Sequence, residues 1–384
     1  MKYFLSFLTV IALLVAGCST DVELNAPYKS TTIVYGLLDP VADTQWVKIN
    51  KTFLGDGNNL DYALVRDSSE YDWSEFKNLY VEEILNGEVI QQFNLEEKEI
   101  TNKDLNGIFY GPAQTVYYFV KGSDLNQNAQ YRIVVDFYNR QDVEATTDIV
   151  AQGSVNFFGL YQNQGTTLKL AETSGSSSFN WKSVTLQFTP SESAPFYEVS
   201  LRTYYTEKLW TDATQTTLVS STKKFFDYKV GTYTLDDRLT SGRIPVEING
   251  ESFFSYFGSQ LNTGDQYSYE IGNYNPDAEP EAATETFDLM INVGGSELYT
   301  YYQVNSPVTG IVQERPTYTN VSNGLGLFSS RSISQVTGIP IINTNPAVLP
   351  NVGNLMALRY SQYTSQFNFC DPGFSDTSVI PHCN

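Results

Sequence analysis

The chain has 384 residues and carries 23 basic against 43 acidic side chains, a net charge of −20 that argues against nucleic acid and anionic lipid headgroups as partners. Its content of 41% apolar and 17% charged residues is that of a globular protein, and 27 Tyr with 23 Phe favour pleated sheets over long helices.

The N-terminus reads as a leader. Met1-Lys2 places positive charge ahead of an apolar run, 3–15, whose length suits a signal peptide, and Val15-Ala16-Gly17-Cys18 closes it as a lipobox. Small residues at Ala16 and Gly17 let the chain lie extended in a peptidase cleft, and the Cys18 thiol is the group that accepts diacylglycerol. The expectation is a signal peptide over 1–17, a lipidated Cys18 and a polar tether over 18–29. Acyl chains, at ~0.8 kcal/mol per buried methylene, hold such a protein on a membrane without a spanning helix. Asp21 and Glu23 in the tether resemble the acidic signal that sends Bacteroidota lipoproteins to the cell surface; a solvated linker is the alternative. The expected location is the outer membrane, on the cell surface or on its periplasmic face.

Residues 30–150 show short strands at regular spacing. Runs 31–38, 45–53, 116–120, 131–138 and 144–150 are rich in β-branched and aromatic residues. Asn86-Gly87 between 79–85 and 88–93 is a hairpin signal, since both residues tolerate positive φ. The pattern predicts an immunoglobulin-like or fibronectin-like β-sandwich. Asp56, Asn58 and Asp61 in its Gly-rich loop offer oxygen ligands for calcium, against the alternative of a plain turn.

Residues 151–384 predict a second, larger antiparallel β-rich domain with few short helices, so the whole chain is expected to be mainly β. Runs 184–188 and 196–205 alternate about a turn at 190–195 and predict an antiparallel pair. Further strands are expected at 223–235, 266–271 and 285–293, loops at 171–178 and 273–283, and helices at 252–261 and 296–303. The second helix places Leu298, Tyr301 and Tyr302 on one face, read as core rather than as a binding platform. Near the C-terminus, Cys370 and Cys383 form an even pair, for which a disulfide is expected in an oxidising envelope. A metal site from Cys370, Asp371, His382 and Cys383 is the rival, although the spacing matches no familiar zinc pattern.

Catalytic chemistry is sparse. His382 is the only histidine and sits beside Cys383, and there is no G-x-S-x-G elbow, H-E-x-x-H, phosphate-binding loop or G-x-G-x-x-G. A carboxylate-dependent hydrolase is a third reading, but Glu82-Glu83 and Glu96-Glu97-Glu99 fall where strand faces or solvated turns are expected. The expectation is a protein without catalytic residues, and without a cofactor unless calcium occupies the Asp56 loop.

The most distinctive late stretch is 318–331. Asn320 leads it, Asn323-Gly324 and Gly326 permit positive φ and close backbone approach, Phe328 can enter a core, and Arg331 offers a planar five-donor fork. These residues, with Val34-Tyr35-Gly36-Leu37-Leu38, Val47-Lys48-Ile49 and the lipobox, resemble a group of Bacteroidota envelope lipoproteins classed as domains of unknown function. The resemblance implies an N-terminal immunoglobulin-like domain before a larger β-rich one, and an accessory role on outer-membrane barrel proteins in barrel assembly, protein transport or uptake. It supplies no catalytic residues. The expected role is a non-catalytic interaction subunit whose partner contact involves Asn320, Asn323, Gly324, Gly326, Phe328 and Arg331; a core-packing role for the same stretch is the alternative. A glycan-binding lipoprotein is the second reading, with Trp46, Trp73, Trp181 and Trp210 as stacking candidates.

Overall fold

The computed structural model describes residues 28–55, 57–103, 106–150, 167–191, 193–272, 285–305, 317–341 and 352–370. The protein is mainly β. The first eight strands are β1 (Thr32–Leu38), β2 (Thr44–Lys51), β3 (Phe76–Leu85), β4 (Glu88–Asn94), β5 (Glu96–Ile100), β6 (Gln114–Val120), β7 (Gln130–Phe137) and β8 (Val143–Asp148). Ten more follow: β9 (Ala171–Gly175), β10 (Ser178–Trp181), β11 (Ser183–Phe188), β12 (Phe196–Trp210), β13 (Leu218–Thr234), β14 (Ile244–Asn249), β15 (Tyr267–Ile271), β16 (Glu285–Gly294), β17 (Gly324–Pro340) and β18 (Asn368–Cys370). The helices are α1 (Asn59–Ala63), α2 (Arg66–Ser69), α3 (Gly250–Ser259), α4 (Ser296–Asn305) and α5 (Gly353–Tyr360).

The first eight strands form two facing sheets, in the orders β1-β2-β6-β5 and β4-β3-β7-β8. That is the A-B-E-D and C′-C-F-G arrangement of an immunoglobulin-like sandwich. Alternation explains the layers: Val34, Leu38, Val47 and Ile49 point into the core, while Tyr35 and Trp46 point outward. Asn86 and Gly87 take φ of 53° and 85°, as the β3–β4 hairpin requires. Tyr131, fully buried at the start of β7, accepts a hydrogen bond from Asn126 N–H at 2.9 Å, the tyrosine corner of this fold. Of the strand face or solvated turn expected for Glu96-Glu97-Glu99, β5 is the strand, an edge that keeps these carboxylates in water.

A boundary at 150 does not close this sandwich. Its core takes Val321 and Phe328 from far along the chain, and residues 324–330 of β17 pair in parallel with β1. Beyond Ser330 the same strand pairs antiparallel with β16, from Arg331 opposite Gly294 to Pro340 opposite Glu285. β17 therefore threads both modules into one sheet of order β18-β15-β12-β16-β17-β1-β2-β6-β5. The module is 30–150 plus the arm around 320–330.

The second module corrects two expectations. β11 does not pair with β12: it pairs with β14, from Ser183 opposite Asn249 to Phe188 opposite Ile244. Both edges of β12 are taken, one by the long β13 and the other by β16 and then β15. The turn at 190–195 instead carries the chain between layers, held by the Tyr197 hydroxyl, which donates to Ser191 O and accepts from Ser191 N, each at 2.8 Å. Residues 171–178, expected as a loop, open the β9–β10 hairpin. The expected helix at 252–261 is α3, capped by the Asn249 side chain on Ser252 N–H and burying Phe253, Phe254 and Phe257. In α5, the buried Asn354 satisfies four backbone groups: it accepts from Leu170 and Ala171 N–H and donates to Leu168 and Ile341 carbonyls.

Candidate functional site

The stretch 318–331 builds the junction of the modules. Residues 320–323 run along the free edge of β8: Ser322 N–H donates to Glu144 O at 2.8 Å, and Asn323 Nδ2 donates to Asp142 O at 3.0 Å. The chain then reverses at Asn323, with φ of 55°, and returns as β17 on the free edge of β1. Asn320 ties the two arms, accepting from Phe328 N–H at 3.0 Å and donating to Phe328 O at 2.7 Å. Both open edges on this side of the sandwich are thereby covered, which removes two templates for aberrant strand pairing.

The glycine positions follow from contact. A Cβ on Gly326, whose φ is 114°, would lie 1.9 Å from Val34 O, and one on Gly324 would lie 2.9 Å from Thr32 O. Phe328 is fully buried and Leu327 nearly so. Of the six residues expected to meet a partner, Asn320, Asn323, Gly324, Gly326 and Phe328 are thus occupied in bracing the fold. Arg331 alone of these is an exposed side chain able to meet a partner through its charge, and it forms no ion pair among the described residues.

Hydroxyls lock the crossing point. Ser330 Oγ donates to Asp148 O at 2.7 Å and accepts from Val150 N–H at 3.0 Å, stapling the two chain segments that pass between modules. Glu297, in the first turn of α4, accepts from Thr147 Oγ1 at 3.0 Å and Ser329 Oγ at 3.1 Å. The helix is thereby held against β17 and the end of β8.

This places an open cleft of about 570 Å³ beside the junction, lined by Tyr35, Trp46, Leu298, Tyr301, Leu327 and Arg331 among others. Tyr35 is 46% and Trp46 43% exposed. The Tyr35 phenol is pushed up by partial burial and by the adjacent Tyr301 hydroxyl. Within α4, Tyr299 stacks on Phe196 and Tyr302 packs against it at a tilt, whereas Leu298 and Tyr301 turn to the cleft. The face expected to hold Leu298, Tyr301 and Tyr302 together is therefore divided, and one side of the helix lines the cleft. Sequence reasoning reads Tyr301 as core and gives Tyr35 no binding role; the period-2 alternation of β1 marks Tyr35 as outward, but only the fold brings α4 to it. The cleft can present flat rings, one guanidinium and the Asp39 carboxylate, which suits a peptide segment or a sugar ring.

No protein-family model and no curated protein matches the chain.

The remaining expected residues fall in other places. Cys18 lies outside the described residues, as do Asp56, Asp371, His382 and Cys383; Cys370 ends β18, and its expected bridge to Cys383 extends beyond the described part. Asn58 caps α1, its side chain accepting from Leu60 N–H at 3.1 Å, and Asp61 sits in the first turn of that helix. Trp73 is exposed and stacks on Tyr117; Trp181 packs on Phe254 and Tyr363; Trp210 donates its indole N–H to Ser268 Oγ. Glu82 pairs with Arg132, Glu96 accepts from the Tyr118 hydroxyl, and Glu99 pairs with Arg66. A buried carboxylate, Glu70, collects Lys48, Arg66 and the Thr115 N–H, which together outweigh burial and hold it below the usual carboxylate range.

Proposed function

We propose that this protein is a lipid-anchored, non-catalytic interaction subunit of the outer membrane that presents the cleft at its module junction to a membrane partner, a barrel protein or its complex. The observation that carries the reading is the Tyr35–Trp46–Tyr301–Arg331 cleft beside the stapled β17 crossing. Rigid presentation favours binding because little ordering entropy remains to be lost. Co-purification from detergent-solubilised envelopes tests it. Arg331→Ala and Tyr35→Ala are expected to lower partner recovery at least tenfold with an unchanged melting temperature, as both side chains are exposed. Full recovery with both variants removes the cleft from the interface.

A second reading, a glycan-binding lipoprotein of an uptake system, draws on Trp46, which is 43% exposed, lies 5.2 Å from the Tyr118 ring and has the Lys98 ammonium 5.6 Å over its ring. Glycan-array binding that disappears in Trp46→Ala, with partner recovery intact, selects it over the first.

The anchor has its own test. Only a thiolate at position 18 accepts the diacylglycerol, so Cys18→Ser is expected to abolish palmitate labelling and release the protein from the membrane fraction. Unchanged labelling and fractionation in that variant defeat the lipoprotein reading.

A further inference from the structure

The first described residues enter the sandwich at one end. The Tyr28 hydroxyl bonds Thr52 Oγ1, Thr31 N–H donates to Thr52 Oγ1 at 2.8 Å, and Thr52 N–H donates to Thr31 O at 2.9 Å. Thr52 begins the β2–β3 connection, so the chain arrives beside that loop. In a sandwich of this order the β2–β3, β5–β6 and β7–β8 connections share an end. The cleft lies toward the other end, beginning at Tyr35 midway along β1 and continuing through Leu37 to Asp39.

The loops at the entry end expose large apolar side chains. Leu60, Leu64 and Val65, on and just after α1, are 55%, 60% and 51% exposed. Ile108 and Phe109, in the β5–β6 loop, are 60% and 48% exposed. The Tyr110 N–H donates to Ala63 O at 2.9 Å, so the two groups are held side by side. Arg66 and Lys103 behind them are tied down: Arg66 bonds Glu70, Glu99 and Thr115, and Lys103 donates to Tyr110 O. The patch is therefore carried on loop tips, apolar at its most exposed side chains with Asp61 in water among them.

We propose that this end is a second membrane contact, in which Leu60, Leu64, Val65, Ile108 and Phe109 enter the interface of a zwitterionic phospholipid surface. The inference rests on the lipid anchor at Cys18. From Cys18 to the first described residue the leash is ten residues, 18–27, which spans at most about 35 Å and leads to these loops. A lipid surface suits them because it accepts apolar side chains at scattered tips without needing shape or charge complementarity. With this end on the bilayer, the cleft and the second module face away from it.

The test uses the chain from Ser19 onward, which lacks the lipidation site, and vesicles of phosphatidylcholine alone. Native chain is expected to sediment with the vesicles. Leu64→Ser/Ile108→Ser is expected to weaken that binding roughly tenfold or more with an unchanged melting temperature. Leu325→Ser, an exposed apolar position on β17, is expected to leave it unchanged. No vesicle binding by the native chain, or equal binding by the double variant, overturns the proposal. Absence of vesicle binding combined with loss of a protein partner in the double variant also overturns it, assigning the loops to a protein instead. Palmitate labelling of the full chain is read separately, so failure of the anchor and failure of the loop contact give different results.

Discussion

Gly326→Ala is expected to lower the stability of the folded chain by at least about 3 kcal/mol. The residue holds φ of 114°, a conformation that strains any side chain by about 1–3 kcal/mol. Its new Cβ would also meet Val34 O at 1.9 Å, so either β17 or β1 must move. Such a shift pulls Phe328, two residues on and fully buried, out of the sandwich core, and Phe328→Ala alone is expected to cost about 3–5 kcal/mol. Because β17 belongs to both modules, scanning calorimetry of Gly326→Ala is expected to show the sandwich melting ahead of the second module. Leu325→Ala, with a side chain 40% exposed on the same strand, is expected to change stability by well under 1 kcal/mol. A Gly326→Ala chain that melts as a single transition at the native temperature would show that the β1–β17 pairing does not hold the modules together.

Glu70→Gln is expected to cost about 3 kcal/mol at neutral pH. Its side chain is 5% exposed and receives Lys48 Nζ at 3.2 Å, Arg66 Nε at 3.0 Å and Thr115 N–H at 3.1 Å, with Lys103 at 4.0 Å. Removing the charge leaves cations gathered around a neutral amide, the situation in which breaking a buried pair is most damaging. Burial already pushes the Lys48 ammonium below its ordinary value while Glu70 opposes that shift, so the substitution removes the opposing partner. The pH dependence has a definite sign. The folded carboxyl titrates lower than in the unfolded chain, so its contribution is complete above about pH 5 and falls away as pH drops through the folded value. Glu70→Gln is therefore expected to flatten the acid limb of stability below about pH 5, and to narrow its difference from the native chain there. A native-like midpoint of denaturation at pH 7 would contradict the role given to this carboxylate.

Much of the sandwich is legible in the sequence because its signals are local. The alternation in β1 and β2 and the Asn86-Gly87 turn each follow from residues within a few positions of one another. Failures appear where distant partners compete for the same strand edge. The alternation of 184–188 and 196–205 identifies both strands correctly, yet says nothing of β13, β15 and β16, which occupy β12 and leave β11 to β14. Likewise the polar run 171–178 becomes a hairpin because Ala171 and the neighbouring Leu170 are tied to Asn354, more than 180 positions away.

The candidate site divides in the same way. The chemistry of 318–331 is readable residue by residue: glycines for positive φ, asparagines for backbone capture, a phenylalanine for a core, and an arginine that remains in water. Composition and spacing alone likewise determine the mainly β class and the net negative charge. Which edges the arm covers, and that Arg331 emerges beside Tyr35, Trp46 and Tyr301, were decided only in three dimensions. β17 pairs with β1 across nearly 300 positions of chain, from Thr32 to Gly324, and no local pattern encodes a partner at that separation. Backbone groups on a strand edge accept any neighbour that arrives in register, so the choice rests on Phe328 filling the core, Gly326 allowing close approach and Asn320 holding the return.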